Sequence, residues 1–212
     1  MRVLIVTATA AEVAPLLHLE HRHHVVDVLT TGVGMVSTAA RCAQRLARER
    51  YDLALNVGVC GSFDPSLPPG TVVHVVADRI AELGAEDGHA FLTIHDLELL
   101  GEDEFPFTGG QLVNASPPQI PALHRLRDVT AITVNTAHGD DRSIAAAVER
   151  FHPHVESMEG AAFMYACLIN ELPFAQVRAV SNVVERRNRG AWRLNDAIEH
   201  LNAATVEILD SL

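Results

Sequence analysis

The chain has 212 residues and a formal net charge of −11, with 27 acidic against 16 basic residues. This length suits one globular domain, which we expect to span residues 1–212. The acidic balance argues against nucleic-acid and membrane-surface binding, because both need a basic surface, and it favours a small-molecule partner.

The three cysteines are widely spaced and contain no Cys-x-x-Cys pair. This pattern favours neither a disulfide framework nor a zinc site, and it fits a reducing cytoplasm. No stretch approaches the ~20 apolar residues that a membrane span requires.

Short β-branched runs alternate with amphipathic segments along the chain. The predicted strands are Val3–Thr7, Val25–Thr31, Leu53–Val59, Val72–Ala77, Val129–Thr136 and Phe174–Ser181. The predicted helices are Ala11–Leu17, Ser37–Arg48, Arg142–Arg150, Met158–Asn170 and Trp192–Leu212. This alternation predicts an α/β fold with a largely parallel sheet covered on both faces. Between Ser62 and Pro121 the chain is rich in Pro, Gly and acidic residues, which predicts long loops.

Ligands of open α/β sheets bind beyond the carboxyl ends of the strands, and Glu12 lies just after the first predicted strand. Its carboxylate is expected in the first turn of the following helix, where the helix dipole favours the ionised form. It could take a proton from water, or it could simply stabilise the helix end.

Two glycine-containing turns follow the next strands. Thr31-Gly32-Val33-Gly34-Met35 resembles a dinucleotide fingerprint, but Ser37 replaces its third glycine, which argues against a nicotinamide cofactor. Asn56-Val57-Gly58-Val59-Cys60-Gly61 also ends a strand. Both turns would let the backbone approach a ligand, and both are equally compatible with a purely structural turn.

A pair of acids, Glu156 and Glu159, surrounds the start of the predicted helix that runs into Gly160-Ala161-Ala162. A carboxylate beside small packed residues is costly unless it is hydrogen-bonded, so it could bind a ligand that carries hydroxyl groups. The alternative is a carboxylate that caps the helix.

Polar residues end the last strand at Arg178-Ala179-Val180-Ser181-Asn182, and Arg186, Arg187 and Arg189 follow. Such arginines could bind an anionic group of a substrate, or they could form a solvated loop. Trp192 could pack on a ligand ring, although a core position at the start of the last helix is favoured.

Histidines cluster at His18, His21, His23 and His24, with Glu20 among them. Because their spacing is irregular and no H-E-x-x-H motif is present, we interpret this cluster as a surface turn and expect no metal site. No Gly-x-Ser-x-Gly motif indicates a hydrolytic serine.

Taken together, these elements resemble the nucleoside phosphorylase and nucleosidase superfamily, and their order along the chain is the family's order. The specific element is Glu156-Ser157-Met158-Glu159-Gly160-Ala161-Ala162. The resemblance implies a three-layer α/β/α sandwich with a mixed central sheet, no cofactor, and a homodimer.

The resemblance is closest to the hydrolytic branch, and it implies a role for several residues. Glu12 would activate water, Met158 and Glu159 would hold the ribose, and Asn182 would face N7 of the purine. The further candidates for substrate binding are Gly61, Arg178, Ser181 and Arg189.

Asn182 departs from the adenine-specific nucleosidases, which carry an aspartic acid there as general acid. An amide cannot deliver that proton, although it can donate hydrogen bonds to N7 and O6 of a 6-oxopurine or pair with the N6/N7 edge of adenine. Loss of a general acid is better tolerated with hypoxanthine, which departs as an anion more readily than adenine.

The segment from Ser181 to Trp192 resembles futalosine hydrolases, whose substrate is an inosine derivative with a carboxyphenyl tail used in menaquinone biosynthesis. The resemblance therefore implies hydrolysis of futalosine to hypoxanthine. The alternatives are a methylthioadenosine/S-adenosylhomocysteine-type or aminofutalosine nucleosidase, a purine nucleoside phosphorylase and a non-catalytic nucleoside sensor. The purine-stacking aromatic is not identified, and Thr136-Ala137-His138-Gly139 is predicted to form a wall of the pocket.

Overall fold

The computed structural model describes residues 1–16, 24–88 and 90–212. Eleven strands are assigned there: β1 (Arg2–Thr7), β2 (Val25–Thr30), β3 (Leu53–Ser62), β4 (Val72–Ile80), β5 (Gly84–Asp87), β6 (Ala90–Thr93), β7 (Phe107–Thr108), β8 (Gln111–Val113), β9 (Arg127–Thr133), β10 (Val155–Ser157) and β11 (Phe174–Val183). The α-helices are α1 (Met35–Leu46), α2 (Asp141–Phe151), α3 (Gly160–Ile169) and α4 (Leu194–Asp210).

Nine of these strands form one mixed sheet, and β5 and β6 form a separate hairpin. Parallel pairings join β1 to β2 and β3, β9 to β4 and β10, and β3 to β11. Antiparallel pairings join β3 to β10, β4 to β8 and β11, and β7 to β8. Strands β3, β11, β4, β9 and β10 therefore form a closed ring. The mixed sheet implied by the resemblance is confirmed, whereas the largely parallel sheet predicted from the alternation is only partly correct.

The alternation of side chains along β1 explains the layers. Val3 and Ile5 face one hydrophobic core that includes Leu201 and Ile208 of α4. Leu4 and Val6 face a second core, which contains most of the buried apolar residues of α1 and α3. Because successive side chains of a strand point to opposite faces, one apolar run serves both cores. The three-layer α/β/α arrangement is confirmed.

The ring of strands has a core of its own. It contains apolar side chains from all five strands, namely Cys60, Val73, Val75, Val129, Ala131, Val155 and Val180, together with Leu67. This packing holds the ends of β3, β10 and β11 next to one another, and those ends carry the motifs singled out from the sequence.

Three predicted segments differ from the structure. The helix predicted at Met158–Asn170 begins only at Gly160, because Val155–Ser157 pairs as a strand with β3 and β9 and Glu159 occupies the N-cap. The helix predicted from Ala11 is a short 3₁₀ turn, Ala10–Val13, and Leu17 lies outside the described residues.

The third difference concerns the loops predicted between Ser62 and Pro121. They contain the hairpin β5–β6 and the strands β7 and β8, whose short lengths left little periodicity to recognise. Of the histidine cluster, all members except His24 lie outside the described residues. Within residues 1–16, 24–88 and 90–212, no helix is both long enough and apolar enough to cross a membrane.

Candidate active site

A pocket of about 320 Å³ opens beside the ends of β1, β3, β10 and β11. A ligand-sized cavity at this edge of the sheet is the usual position for a binding site in an α/β fold. Its acidic and amide-bearing lining residues are Glu12, Glu156, Glu159, Asn182, Glu185 and Asn188. Roles were predicted from the sequence for three of these six residues, namely Glu12, Glu159 and Asn182.

Glu12 is buried and its carboxylate is held on both oxygens. Oε2 accepts hydrogen bonds from the backbone N–H of Thr9 (2.8 Å) and from the hydroxyls of Thr7 and Thr9 (3.0 Å each). Oε1 accepts from the backbone N–H of Val59 at 3.2 Å. The local sequence predicted the position of Glu12 in the first helical turn, and the structure adds its anchorage to β3.

Glu159 joins the first glycine turn to the start of α3. Its Oε1 accepts a hydrogen bond from the backbone N–H of Gly34 at 3.0 Å, across 125 residues of sequence. Its Oε2 lies 3.8 Å from Nη1 of Arg178. The neighbouring Met158 lines the same pocket and is partly exposed. The carboxylate is thus fixed at the pocket wall by one backbone donor and one buried cation.

Arg178 is 1% exposed and lies behind the pocket, outside its lining. Its Nη2 donates hydrogen bonds to Oδ1 of Asn56 and, at 3.4 Å, to Oε1 of Gln176. A β-carbon at Gly58 would overlap Nη1 of Arg178 and would lie 3.1 Å from Oε1 of Glu12. The guanidinium of Arg178 therefore pairs with the carboxylate of Glu159 and lies beside Gly58, as does the carboxylate of Glu12. Direct substrate binding by Arg178 remains a prediction.

Another buried acid, Asp78, continues this polar network. Oδ1 of Asp78 accepts from the hydroxyl of Thr133 at 2.9 Å, and Oδ2 accepts from Nε2 of Gln176 at 3.0 Å. Burial raises the pKa of Asp78 to about 6, against the lowering effect of the hydrogen bonds from Gln176 and Thr133. Gln176 thus connects Asp78 to Arg178.

Asn182 lies where β11 departs from regular pairing. The register with β3 shifts between Val180 and Asn182, so Asn182 is opposite Gly61 and Ser181 is left unpaired in a bulge. Nδ2 of Asn182 donates to the carbonyl of Val183 at 2.9 Å, and the Ser181 hydroxyl lies 2.8 Å from Oδ1. The bulge turns both residues toward the pocket, which they line together with Gly61.

Glu156 and His138 form a pair on the pocket wall. Oε1 of Glu156 accepts from the backbone N–H of His138 at 3.1 Å, and Oε2 lies 2.6 Å from the ring Nδ1. The hydrogen bond to Glu156 raises the pKa of His138, and partial burial opposes this effect. The prediction that residues 136–139 form a wall of the pocket is confirmed at Ala137 and His138.

The arginine-rich segment contributes Arg187 and Trp192 to the lining. The guanidinium carbon of Arg187 lies 5.7 Å from the centre of the Trp192 ring. Trp192 is 36% exposed, so the core position that the sequence favoured for it is wrong. Arg189 is exposed in the 3₁₀ turn Arg189–Ala191 and is not among the lining residues, so its contact with a substrate remains a prediction.

The structure thus brings Glu12, Gly61, Met158, Glu159, Ser181 and Asn182 to one pocket and places Arg178 and Arg189 outside its lining. No role was predicted for Glu156, because its segment resembles the start of a helix and its strand pairing appears only in the structure. The pairing of Arg178 with Asn56 and Glu159 was also missed, because these two residues are distant from it in the sequence.

A family model of the phosphorylase superfamily matches residues 3–210. The chain belongs to this superfamily. Within it, the chain is 35% identical over 185 residues to a futalosine hydrolase of Streptomyces coelicolor, covering 84% of this chain and 76% of the relative. It is 31% identical over 188 residues to a futalosine hydrolase of Thermus thermophilus, covering 85% and 80% of the two chains. The family resemblance stated from the sequence is confirmed.

A comparison with solved structures supports the fold of this superfamily member independently. The futalosine hydrolase of Helicobacter pylori superimposes with a TM-score of 0.82, covering 100% of this chain and 98% of the other at 14% identity. At this low identity the likeness concerns the fold alone.

Proposed function

We propose that the protein hydrolyses the N-ribosidic bond of futalosine, which releases hypoxanthine and dehypoxanthine futalosine in menaquinone biosynthesis. The observation that carries the proposal is the convergence of Glu12, Glu159 and Asn182 on one pocket. The futalosine hydrolases among its relatives support the choice of substrate. We also propose that residues 1–212 act as one domain and need no cofactor.

The carboxylates of Glu12 and Glu159 can perform the two functions that cleavage of a glycosidic bond requires. The bond breaks through a transition state in which the ribose carries positive charge, and water attacks the anomeric carbon. Glu159, held by Gly34, accepts hydrogen bonds from ribose hydroxyls and stabilises that charge, with Met158 packed on the sugar. Glu12, held by hydrogen bonds from Thr7, Thr9 and Val59, orients the water and takes its proton. Arg178 pairs with Glu159 and holds that carboxylate in place.

The departure of the purine base depends on Asn182. Hypoxanthine leaves with the electron pair of the broken bond, and the amide of Asn182 donates a hydrogen bond to N7 without giving up a proton. This arrangement favours a leaving group that is stable as an anion, because a general acid commonly contributes about 10²–10⁴-fold to such a step. Ser181 beside Oδ1 orients the amide.

The tail of futalosine offers an aromatic ring and a carboxylate. Trp192 and Arg187, which line the pocket and lie against each other, supply a stacking surface and a cation for them. Arg189 would need a movement of its 3₁₀ turn to reach the same carboxylate.

A substrate panel tests the proposal. The purified protein is incubated separately with futalosine, aminofutalosine, inosine and methylthioadenosine, and the released bases are separated by HPLC. We expect hypoxanthine from futalosine at the highest kcat/KM, with no requirement for phosphate. Efficient release of adenine from methylthioadenosine would contradict the substrate assignment, and a phosphate requirement would indicate a phosphorylase. Tight binding without turnover would indicate a nucleoside sensor.

We further propose a homodimer, on the strength of the family resemblance. Gel filtration with light scattering measures the mass of the assembly against the 23.0 kDa of one chain.

A further inference from the structure

Glu156 has no role in the proposed reaction, yet it lines the pocket and is only 6% exposed. A buried carboxylate is costly unless hydrogen bonds compensate it. Both of its oxygens accept hydrogen bonds from His138. Each carboxylate oxygen offers two acceptor positions, so the pair leaves acceptor capacity for a ligand.

Glu156 and Asn182 flank the same glycine. A β-carbon at Gly61 would lie 3.3 Å from Nδ2 of Asn182 and 3.5 Å from Cγ of Glu156. Two pairings of β3 produce this arrangement, since Gly61 is opposite Asn182 on β11 and opposite Glu156 on β10. A hydrogen-bond donor and a hydrogen-bond acceptor therefore stand on either side of Gly61, at the end of the pocket assigned to the base.

We propose that Glu156 is a specificity-determining residue, which accepts the N1–H hydrogen bond of hypoxanthine while Asn182 donates to the N7 and O6 edge. The inference rests on the proposed function, whose base site it deepens. A 6-oxopurine presents a donor at N1 and acceptors at O6 and N7, so it complements this pair of side chains. His138 acts as a positioning residue, because its backbone N–H and its ring Nδ1 hold the two oxygens of this carboxylate.

Adenine fits the same pair poorly. Its N1 carries a lone pair where hypoxanthine carries a hydrogen, so the lone pair would face a carboxylate that cannot donate. Asn182 alone does not exclude adenine, because an amide can pair with the N6/N7 edge. The discrimination against 6-aminopurines is therefore assigned to Glu156. This type of recognition is strong, because the wrong base leaves a buried polar group unpaired.

The test measures equilibrium binding of free bases by calorimetry, with hypoxanthine, adenine and 1-methylhypoxanthine as probes. The wild-type protein should bind hypoxanthine at least about tenfold more tightly than the other two, as expected for a hydrogen bond to a charged group. In Glu156→Gln the amide can turn an N–H toward the pocket, so the hypoxanthine-to-adenine affinity ratio should fall by about 10- to 100-fold. Glu149→Gln, the same charge change at an exposed position of α2, should leave the ratio unchanged.

The ratio is measured on one protein preparation at a time, so partial unfolding of a variant does not alter it. An unchanged ratio in Glu156→Gln would overturn the inference, as would equal wild-type affinity for hypoxanthine and 1-methylhypoxanthine. Futalosine turnover of the wild type is measured separately. If the base preference depends on Glu156 but futalosine is not hydrolysed, the proposed function fails and the inference stands. If futalosine is hydrolysed but the ratio does not change, the inference alone fails.

Discussion

The orientation of the Glu12 carboxylate is set by the hydrogen-bond donors that surround it. Four hydrogen bonds, from Thr7, from two atoms of Thr9 and from Val59, hold its two oxygens. The carboxylate is consequently oriented before substrate binds, which removes the cost of ordering it during the reaction.

The first prediction concerns this residue. Glu12→Gln should bind futalosine with nearly unchanged affinity but lose turnover by about 10²–10⁴-fold, because an amide cannot take the proton of the attacking water. Single-turnover kinetics measure the chemical step, and calorimetry measures binding. Turnover close to that of the wild type would remove Glu12 from the mechanism. A weakened affinity with unchanged turnover would assign it to substrate binding instead.

Among the secondary-structure elements, the start of α3 is the most important for the candidate site, because it carries Glu159 into the pocket. The backbone N–H of Ala161 donates to the hydroxyl of Thr133 at 2.8 Å, which ties the first turn of the helix to β9. A β-carbon at Gly160 would overlap Oε1 of Gln176 and Oδ2 of Asp78. The absence of a side chain at Gly160 therefore lets the helix approach the buried network closely.

The second prediction follows from this close approach. Gly160→Ala should destabilise the protein by about 1–3 kcal/mol, because the added methyl group displaces Gln176 and Asp78. A loss of that size lowers the Tm by roughly 2–4 °C per kcal/mol in a chain of this length. Differential scanning calorimetry measures the change. Gly190→Ala is the matched control, since the nearest atom to its β-carbon would be 3.6 Å away. Equal Tm values for the two variants would contradict this account of α3.

For the whole molecule, the closed ring of strands decides which polar groups meet. Asp78 on β4, Gln176 and Arg178 on β11 and Asn56 on β3 form one chain of side chains because those three strands are neighbours. Burying charged groups in this way costs stability unless each is paired, and the pairing here extends to Glu159. A buried polar network therefore lies next to the pocket, and the pairing of its members offsets the cost of burying them.

The third prediction is a pH dependence of stability. The pKa of Asp78 is raised from 3.8 to about 6 in the folded protein, so its favourable contribution is present below about pH 4 and is lost as the pH rises through 6. Asp78→Asn does not titrate. Its free energy of unfolding should therefore improve relative to the wild type by up to about 3 kcal/mol between pH 4 and pH 7.

Urea unfolding of both proteins across this pH range measures the difference. Asp87→Asn, a substitution at an exposed position of β5, is the control. A constant difference between Asp78→Asn and the wild type over the range would show that Asp78 does not titrate there.

Several features could be predicted from the sequence because they depend on neighbours in the chain. The order of strands and helices follows from hydrophobic periodicity, and Glu12 follows its strand directly. Glu159 and Asn182 were found because short motifs surround them, and the family match supports those motifs. Helix boundaries were less accurate, since the segment at Glu156 looks like a helix start until its strand partners are known.

Sequence alone determined the α/β class, the family resemblance and most residues of the candidate site, because local patterns and motifs carry that information. Only the tertiary structure decided the closure of the ring, the pairing of the buried Arg178 with Glu159 and the pairing of Glu156 with His138. Those features depend on strand register and on contacts between residues far apart in the chain. Such contacts are chosen by the packing of the whole molecule, which no single segment specifies.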